Sequence, residues 1–134
     1  MSAADHFFDT NVLLYLLSSD AIKAGRAEEA LASGGILSVQ VLNEFSSVAM
    51  RKIKMTVGEI REVIAAIRVA CKIVPITEAT HDKGMEIVAQ YGLSVYDAMI
   101  VASALSSGCK ILLTEDMQDG QIFEGCLKIH NPFR

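Results

Sequence analysis

The chain has 134 residues, of which 51% are hydrophobic, and a formal net charge of −4. That length fits one domain over residues 1–134 with enough apolar material for a sizeable core, which excludes wholesale disorder. The acidic balance excludes a protein that coats nucleic acid by bulk electrostatics and leaves selective contact through a local basic patch.

Phe7 and Phe8 read as a short buried strand that runs into a helix at Asp9-Thr10-Asn11, because all three of the latter cap helix starts well. Val12 to Leu17 supplies an apolar turn or two. A second helix covers about Ala21 to Leu31, closed by Ser33-Gly34-Gly35. Ile36-Leu37-Ser38 is another short strand, and Ser38 caps a helix with Val41, Phe45 and Val48 at helical spacing. Thr56-x-x-Glu59 is a capping box that opens a helix through about Ala70. Ile73-Val74-Pro75-Ile76 reads as a strand with proline near its end, followed by a helix from Thr77 to about Tyr91 that Gly92 closes. Ser94-x-x-Asp97 opens the most apolar helix, ending near Ser106-Ser107-Gly108, and Ile111–Leu113 and Leu127–Ile129 are the last strands. Short apolar strands separated by helices indicate an α/β domain with a central, mainly parallel sheet flanked by helices.

Arg68 and Asp97 interrupt the richest apolar stretches, so no run approaches the ~18 residues of a membrane span. With no secretory leader pattern either, a cytoplasmic location away from membranes is expected. Cys71, Cys109 and Cys126 are scattered without a C-x-x-C spacing, which favours free thiols over a zinc site. His6, His81 and His130 share no motif spacing and give no support for a histidine general base. Tyr15, Tyr91, Tyr96 and the six methionines read as packing residues.

Four acids stand at the edges of apolar segments: Asp9 after HFF, Glu44 in VLNEF, Asp97 in VYDAMIVASAL and Asp116 in LLTED. In an open parallel sheet, ligands collect at the carboxyl ends of the strands. Asp9 and Asp116 follow strands there, while Glu44 and Asp97 fall in early helical turns after Ser38 and Ser94. Asp9 has a capping role open to it, but Thr10 and Asn11 cap as well, so capping does not require Asp. Glu44 falls beside the apolar arc of its helix rather than opposite it. Asp97 lies in a helix that is apolar on nearly every face, where a carboxylate needs a partner. Four converging carboxylates repel one another, and a hard divalent cation with its preference for oxygen ligands relieves the repulsion. Thr114 is either a hydroxyl that orients a neighbouring carboxylate or a turn hydroxyl, and Asp119 is either a supporting acid or a turn former before Gly120. The basic run Arg51-Lys52-Ile53-Lys54 is the best local patch for selective nucleic-acid contact, or else a solvated helix face.

Taken in order, Asp9-Thr10-Asn11-Val12, V-L-N-E44-F, S-x-x-D97-A-x-I-x-A-x-A and L-L-T114-E-D116 resemble the PIN-domain ribonucleases, and most of all the single-domain VapC-type toxins of toxin–antitoxin pairs. The resemblance covers the chain from Phe8 to about Ile129. It implies a metal-dependent endoribonuclease that uses Mg²⁺ or Mn²⁺ on a tRNA, rRNA or mRNA substrate. The acidic quartet Asp9, Glu44, Asp97 and Asp116 would be its catalytic and metal-holding residues, with Asn11 and Thr114 in supporting positions. It further implies a cognate antitoxin protein, with Ile53, Met55, Val57 and Ile60 as candidate contacts, and a homodimer. Two alternatives compete: a PIN-like binding module without turnover, and a Mg²⁺-dependent phosphatase of the haloacid dehalogenase type. The second is disfavoured because position 11 is Asn where that family resembles D-x-D.

Overall fold

Side chains that can accept a backbone N–H start nearly every helix of the computed structural model, which describes residues 2–134. After a short 3₁₀ turn at Ala3–Asp5 the order is β1 (His6–Phe8), α1 (Thr10–Tyr15), α2 (Ala21–Ala32), β2 (Gly35–Ser38), α3 (Val39–Arg51), α4 (Val57–Ala70) and β3 (Cys71–Val74). There follow α5 (Glu78–Tyr91), α6 (Val95–Ser106), β4 (Ile111–Leu113), β5 (Ile122–Phe123) and β6 (Leu127–His130). Asp9, Asp20, Ser38, Thr56, Thr77 and Ser94 cap α1 to α6 in turn. The expected box at Thr56 and Glu59 is present with both of its hydrogen bonds.

The strands form one sheet in the order β3-β2-β1-β4-β6-β5, parallel throughout except for the antiparallel edge pair β5–β6. Phe7 and Phe8 are both fully buried although they point to opposite faces, so the sheet is covered on both sides. The connections from β1 through β3 run one way across the sheet, and the return from β3 to β4 runs the other way. Right-handed crossovers then put α5 and α6 on the face opposite α1–α4. Helix α6 is buried from Ala98 to Ala104.

Several elements differ from expectation. Strand β3 runs from Cys71 to Val74, two residues earlier than the sequence suggests, because Cys71 and Lys72 pair with Gly35 and Ile36 and Pro75 falls outside the ladder. Helix α1 ends at Tyr15, and Leu16 and Leu17 continue it only by tighter bonds to Leu13 and Leu14. The two-residue strand β5 is unexpected. Tyr96 is 70% exposed and so is not a packing residue, and Met50 and Met85 are exposed as well. Ile60 lies in the core, while Ile53 and Val57 are exposed. All three cysteines are free, Cys71 and Cys109 buried and Cys126 exposed. Among the described residues no single helix is long and apolar enough to cross a membrane.

Gly35 opens β2 where a side chain has no room. A Cβ there would lie 2.4 Å from Phe8 Cε2 and 2.9 Å from the His6 carbonyl oxygen. Overpacking of this kind costs about 1–3 kcal/mol. Gly35→Ala is therefore expected to lower Tm by roughly 4–12 °C in a thermal melt, and an unchanged Tm would show that β1 and β2 have slack between them.

Candidate active site

Strand β1 delivers the chain into α1 through Asp9, whose Oδ1 accepts the Thr10 N–H at 2.7 Å. The Asp9 N–H donates to the Leu113 carbonyl at 3.0 Å, so the carboxyl ends of β1 and β4 are held side by side. Strand order reverses at this point, with β2 on one side of β1 and β4 on the other. Ligand sites of open parallel sheets form at such switch points.

Two polar side chains fasten the acids at these strand ends. The Thr114 hydroxyl, fully buried, donates to Asp9 Oδ2 at 2.8 Å and accepts from the Asn11 amide and the Asp116 N–H, each at 3.1 Å. Asn11 Nδ2 also donates to Asp116 Oδ2 at 3.0 Å, and its Oδ1 accepts the Glu115 N–H at 3.2 Å. Glu44 approaches from α3. Thr10 Oγ1 donates to its Oε2 at 2.6 Å and Gln40 Nε2 to its Oε1 at 3.0 Å. Gln40 reaches the Tyr96 carbonyl as well, at 3.2 Å, and so ties α3 to the first turn of α6, where Asp97 sits half-buried.

Electrostatics link all four acids. Burial pushes the Asp9 carboxyl from its ordinary 3.8 up to about 7; Thr114 and Thr10 oppose this by hydrogen bonding, and repulsion from Asp116 and Asp97 adds to it. Asp97 is raised too, first by burial and then by repulsion from Asp116 and Glu44. No cationic side chain figures among the groups acting on either carboxyl. Among the described residues none of the four acids forms an ion pair.

A cleft of about 380 Å³ opens beside these groups, lined by Thr10, Asn11, Leu14, Glu44, Arg51 and Asp116 among others. Arg51 is the member of the basic run on the cleft wall, where its Nε donates to Ser47 Oγ at 3.2 Å. Lys52 and Lys54 are exposed and do not line the cleft. Asp119 is turned elsewhere: its carboxylate accepts the Asn131 N–H at 2.9 Å and lies 3.9 Å from Arg134. Thr10 and Gln40 were not singled out from the sequence as partners of Glu44. The position of Gln40 four residues before Glu44 on one helix is the signal that points to it.

The chemistry of the acids suits a hard divalent cation, since they offer carboxylate oxygens with no thiolate or imidazole among them, while the Asn11 and Gln40 amides turn their N–H groups to the acids. Among the described residues no three acids stand close enough to grip an ion as arranged.

Residues 6–118 match the sequence profile of the PIN domain, which takes in all four acids. The chain belongs to the PIN domain family. By sequence alone it matches none of the curated proteins. Solved structures of the same fold include a toxin–antitoxin complex from Klebsiella pneumoniae, at a TM-score of 0.71 and 22% identity over 95% of this chain and 97% of that one. Another is VapC20 of Mycobacterium tuberculosis, described as a Sarcin-Ricin loop cleaving toxin, at 0.65 and 21% over 80% and 86%. A third is VapBC2 from Rickettsia felis bound to a promoter DNA fragment, at 0.66 and 19% over 94% and 98%. The α/β architecture of the PIN domain, with its mainly parallel sheet flanked by helices, is thus the one expected from the sequence.

Proposed function

We propose that this PIN domain is a Mg²⁺- or Mn²⁺-dependent endoribonuclease and the toxin of a cytoplasmic toxin–antitoxin pair. The observation that carries the reading is Asp9: a buried carboxyl at the switch point of the sheet, pushed up to about 7, with other acids beside it and, among the described residues, no ion-pair partner. A site built to be this uncomfortable when empty is suited to binding a positive charge. The fold likeness to VapC20 and to toxin–antitoxin complexes supports RNA as the substrate and an antitoxin as the partner.

A divalent ion bound here supplies positive charge that offsets the acids, makes nearby water more acidic and stabilises charge on the scissile phosphate. Asp9, Asp97 and Asp116 are the residues to hold it. Glu44 completes the site or orients the attacking water, and the donors Thr10 and Gln40 keep both of its oxygens in place. Thr114 and Asn11 hold Asp9 and Asp116 in register, and Arg51 on the cleft wall is placed to meet the RNA backbone. In-line attack by water leaves a 5′-phosphate and a 3′-hydroxyl. An antitoxin would cover the cleft, with exposed Ile53 and Val57 among its contacts, and two toxin copies would form a homodimer.

The test is incubation of a mixed tRNA and rRNA pool with purified protein in Mn²⁺ or in excess chelator, followed by mapping of the cut ends. Discrete cuts with 5′-phosphates that vanish in chelator are the expected result. Cuts that survive chelation, or that end in 2′,3′-cyclic phosphates, would refute the metal-dependent reading, because the cyclic product needs the RNA 2′-hydroxyl as nucleophile.

A further inference from the structure

Glu115 and Asp116 follow one another after β4, yet their carboxylates are fastened to different parts of the molecule. Asp116 takes the Asn11 amide in the cleft, whereas Glu115 accepts a hydrogen bond from the Tyr15 hydroxyl at the end of α1. Lys23 of α2 contacts the same hydroxyl at 3.2 Å, and its ammonium lies 4.8 Å from the centre of the Tyr15 ring. Phe133 packs against that ring, with centroids 4.3 Å apart. Neither Tyr15, Lys23 nor Glu115 lines the acidic cleft.

We propose that Tyr15 is a positioning residue that holds Glu115 away from the acidic cleft and thereby fixes the loop presenting Asp116. The ion-binding half of this inference rests on the metal-dependent reading above. Physically, the Glu115 charge is accommodated by a phenol donor backed by an ammonium, an arrangement stronger than a bond between neutral groups. Without the phenol, the loop keeps only the Asn11 and Thr114 bonds near the site, and a fifth carboxylate is free to approach acids that already repel one another.

Tyr15→Phe is the informative variant, since it keeps the ring against Phe133 and removes the hydroxyl alone. In chelator, amide hydrogen exchange over residues 114–120 should quicken about fivefold or more while β1 and β2 keep their protection. Mn²⁺ binding, measured by calorimetry without RNA, should weaken about tenfold, the loss of one hydrogen bond to a charged group. Adding Glu115→Gln to Tyr15→Phe should relieve part of that loss rather than deepen it, because the released carboxylate is then neutral. Unchanged exchange in the loop, exchange that rises equally across the sheet, or unaltered Mn²⁺ affinity would each overturn the proposal. If the parent protein binds no Mn²⁺ at all, the ribonuclease reading fails, and the metal-free exchange result still decides whether Tyr15 fastens the loop.

Discussion

Asp9→Asn is expected to abolish metal-dependent cleavage and, in the same molecule, to stabilise the metal-free fold at neutral and alkaline pH. Loss of an outer hydrogen-bonding partner at a metal site costs roughly 10–100-fold, and removal of a direct ligand should exceed that. Asn caps a helix as well as Asp does, so α1 keeps its start. The stability effect follows from the sign of the shift. Asp9 titrates near 7 in the folded chain against an ordinary 3.8, so the folded state binds the proton more tightly than the unfolded state does. This contribution to stability is fully present below about pH 4 and is lost as pH rises through 7. Across that window it amounts to on the order of 4 kcal/mol for a group this deeply buried. Asn never ionises, so in chelator the variant should melt close to the parent at pH 4 and on the order of 10 °C above it at pH 8. Saturating Mg²⁺ or Mn²⁺ should raise the parent's Tm at pH 8 and leave the variant's where it was. Parallel melting curves across pH would mean that Asp9 sits comfortably as an anion, and the case for a cation at this site would lose its main support.

The expectations that held were those where one residue type had few physical options. Two apolar residues followed by Asp9-Thr10-Asn11 mark a strand running into a capped helix, and the structure makes Asp9 the cap of α1. Thr114 and Asn11 were marked for the neighbourhood of Asp9 and Asp116, and the structure brings all four together by hydrogen bonds spanning more than 100 residues of sequence. Other features leave no local trace. The two residues of β5 are too few for any periodicity, and they pair only because Gly120 and Gln121 bring the loop back to β6. Lys72 breaks the apolar run before Ile73, so the start of β3 is set by its partner strand rather than by its own composition. The bond from Thr10 to Glu44 depends on how α1 packs against α3, which no spacing along the chain encodes. Asp119 illustrates the converse: three acids within six residues look alike in the sequence, and only the folded chain shows that Asp116 stays at the cleft while Asp119 turns to Asn131 and Glu115 to Tyr15.

Thr114→Val should show how far the site depends on a single hydroxyl. Valine fills nearly the same volume, so packing in the fully buried position is preserved while three hydrogen bonds disappear. Two of the three losses are cushioned, because Asn11 still reaches Asp116 and the Asp116 N–H belongs to an exposed residue that water can serve. The third falls on Asp9 Oδ2, which keeps only a long 3.5 Å contact with Asn11. Losing a hydrogen bond to a buried charge costs about 1–3 kcal/mol. Among the influences that lower the Asp9 pKa, the Thr114 bond is the largest, so its removal pushes the carboxyl above about 7. A higher folded pKa lets the proton compete harder with the metal at neutral pH and extends the loss of stability further upward in pH. Cleavage by Thr114→Val at pH 7 should therefore fall about 10–100-fold, and the deficit should shrink by pH 9, where the proton no longer competes. In chelator the Tm deficit should run the opposite way and widen as pH rises. Thr114→Ser keeps the hydroxyl and should keep the parent's pH profile. A valine variant whose rate profile merely drops in parallel with the parent's would show that Thr114 acts through packing and not through the charge state of Asp9.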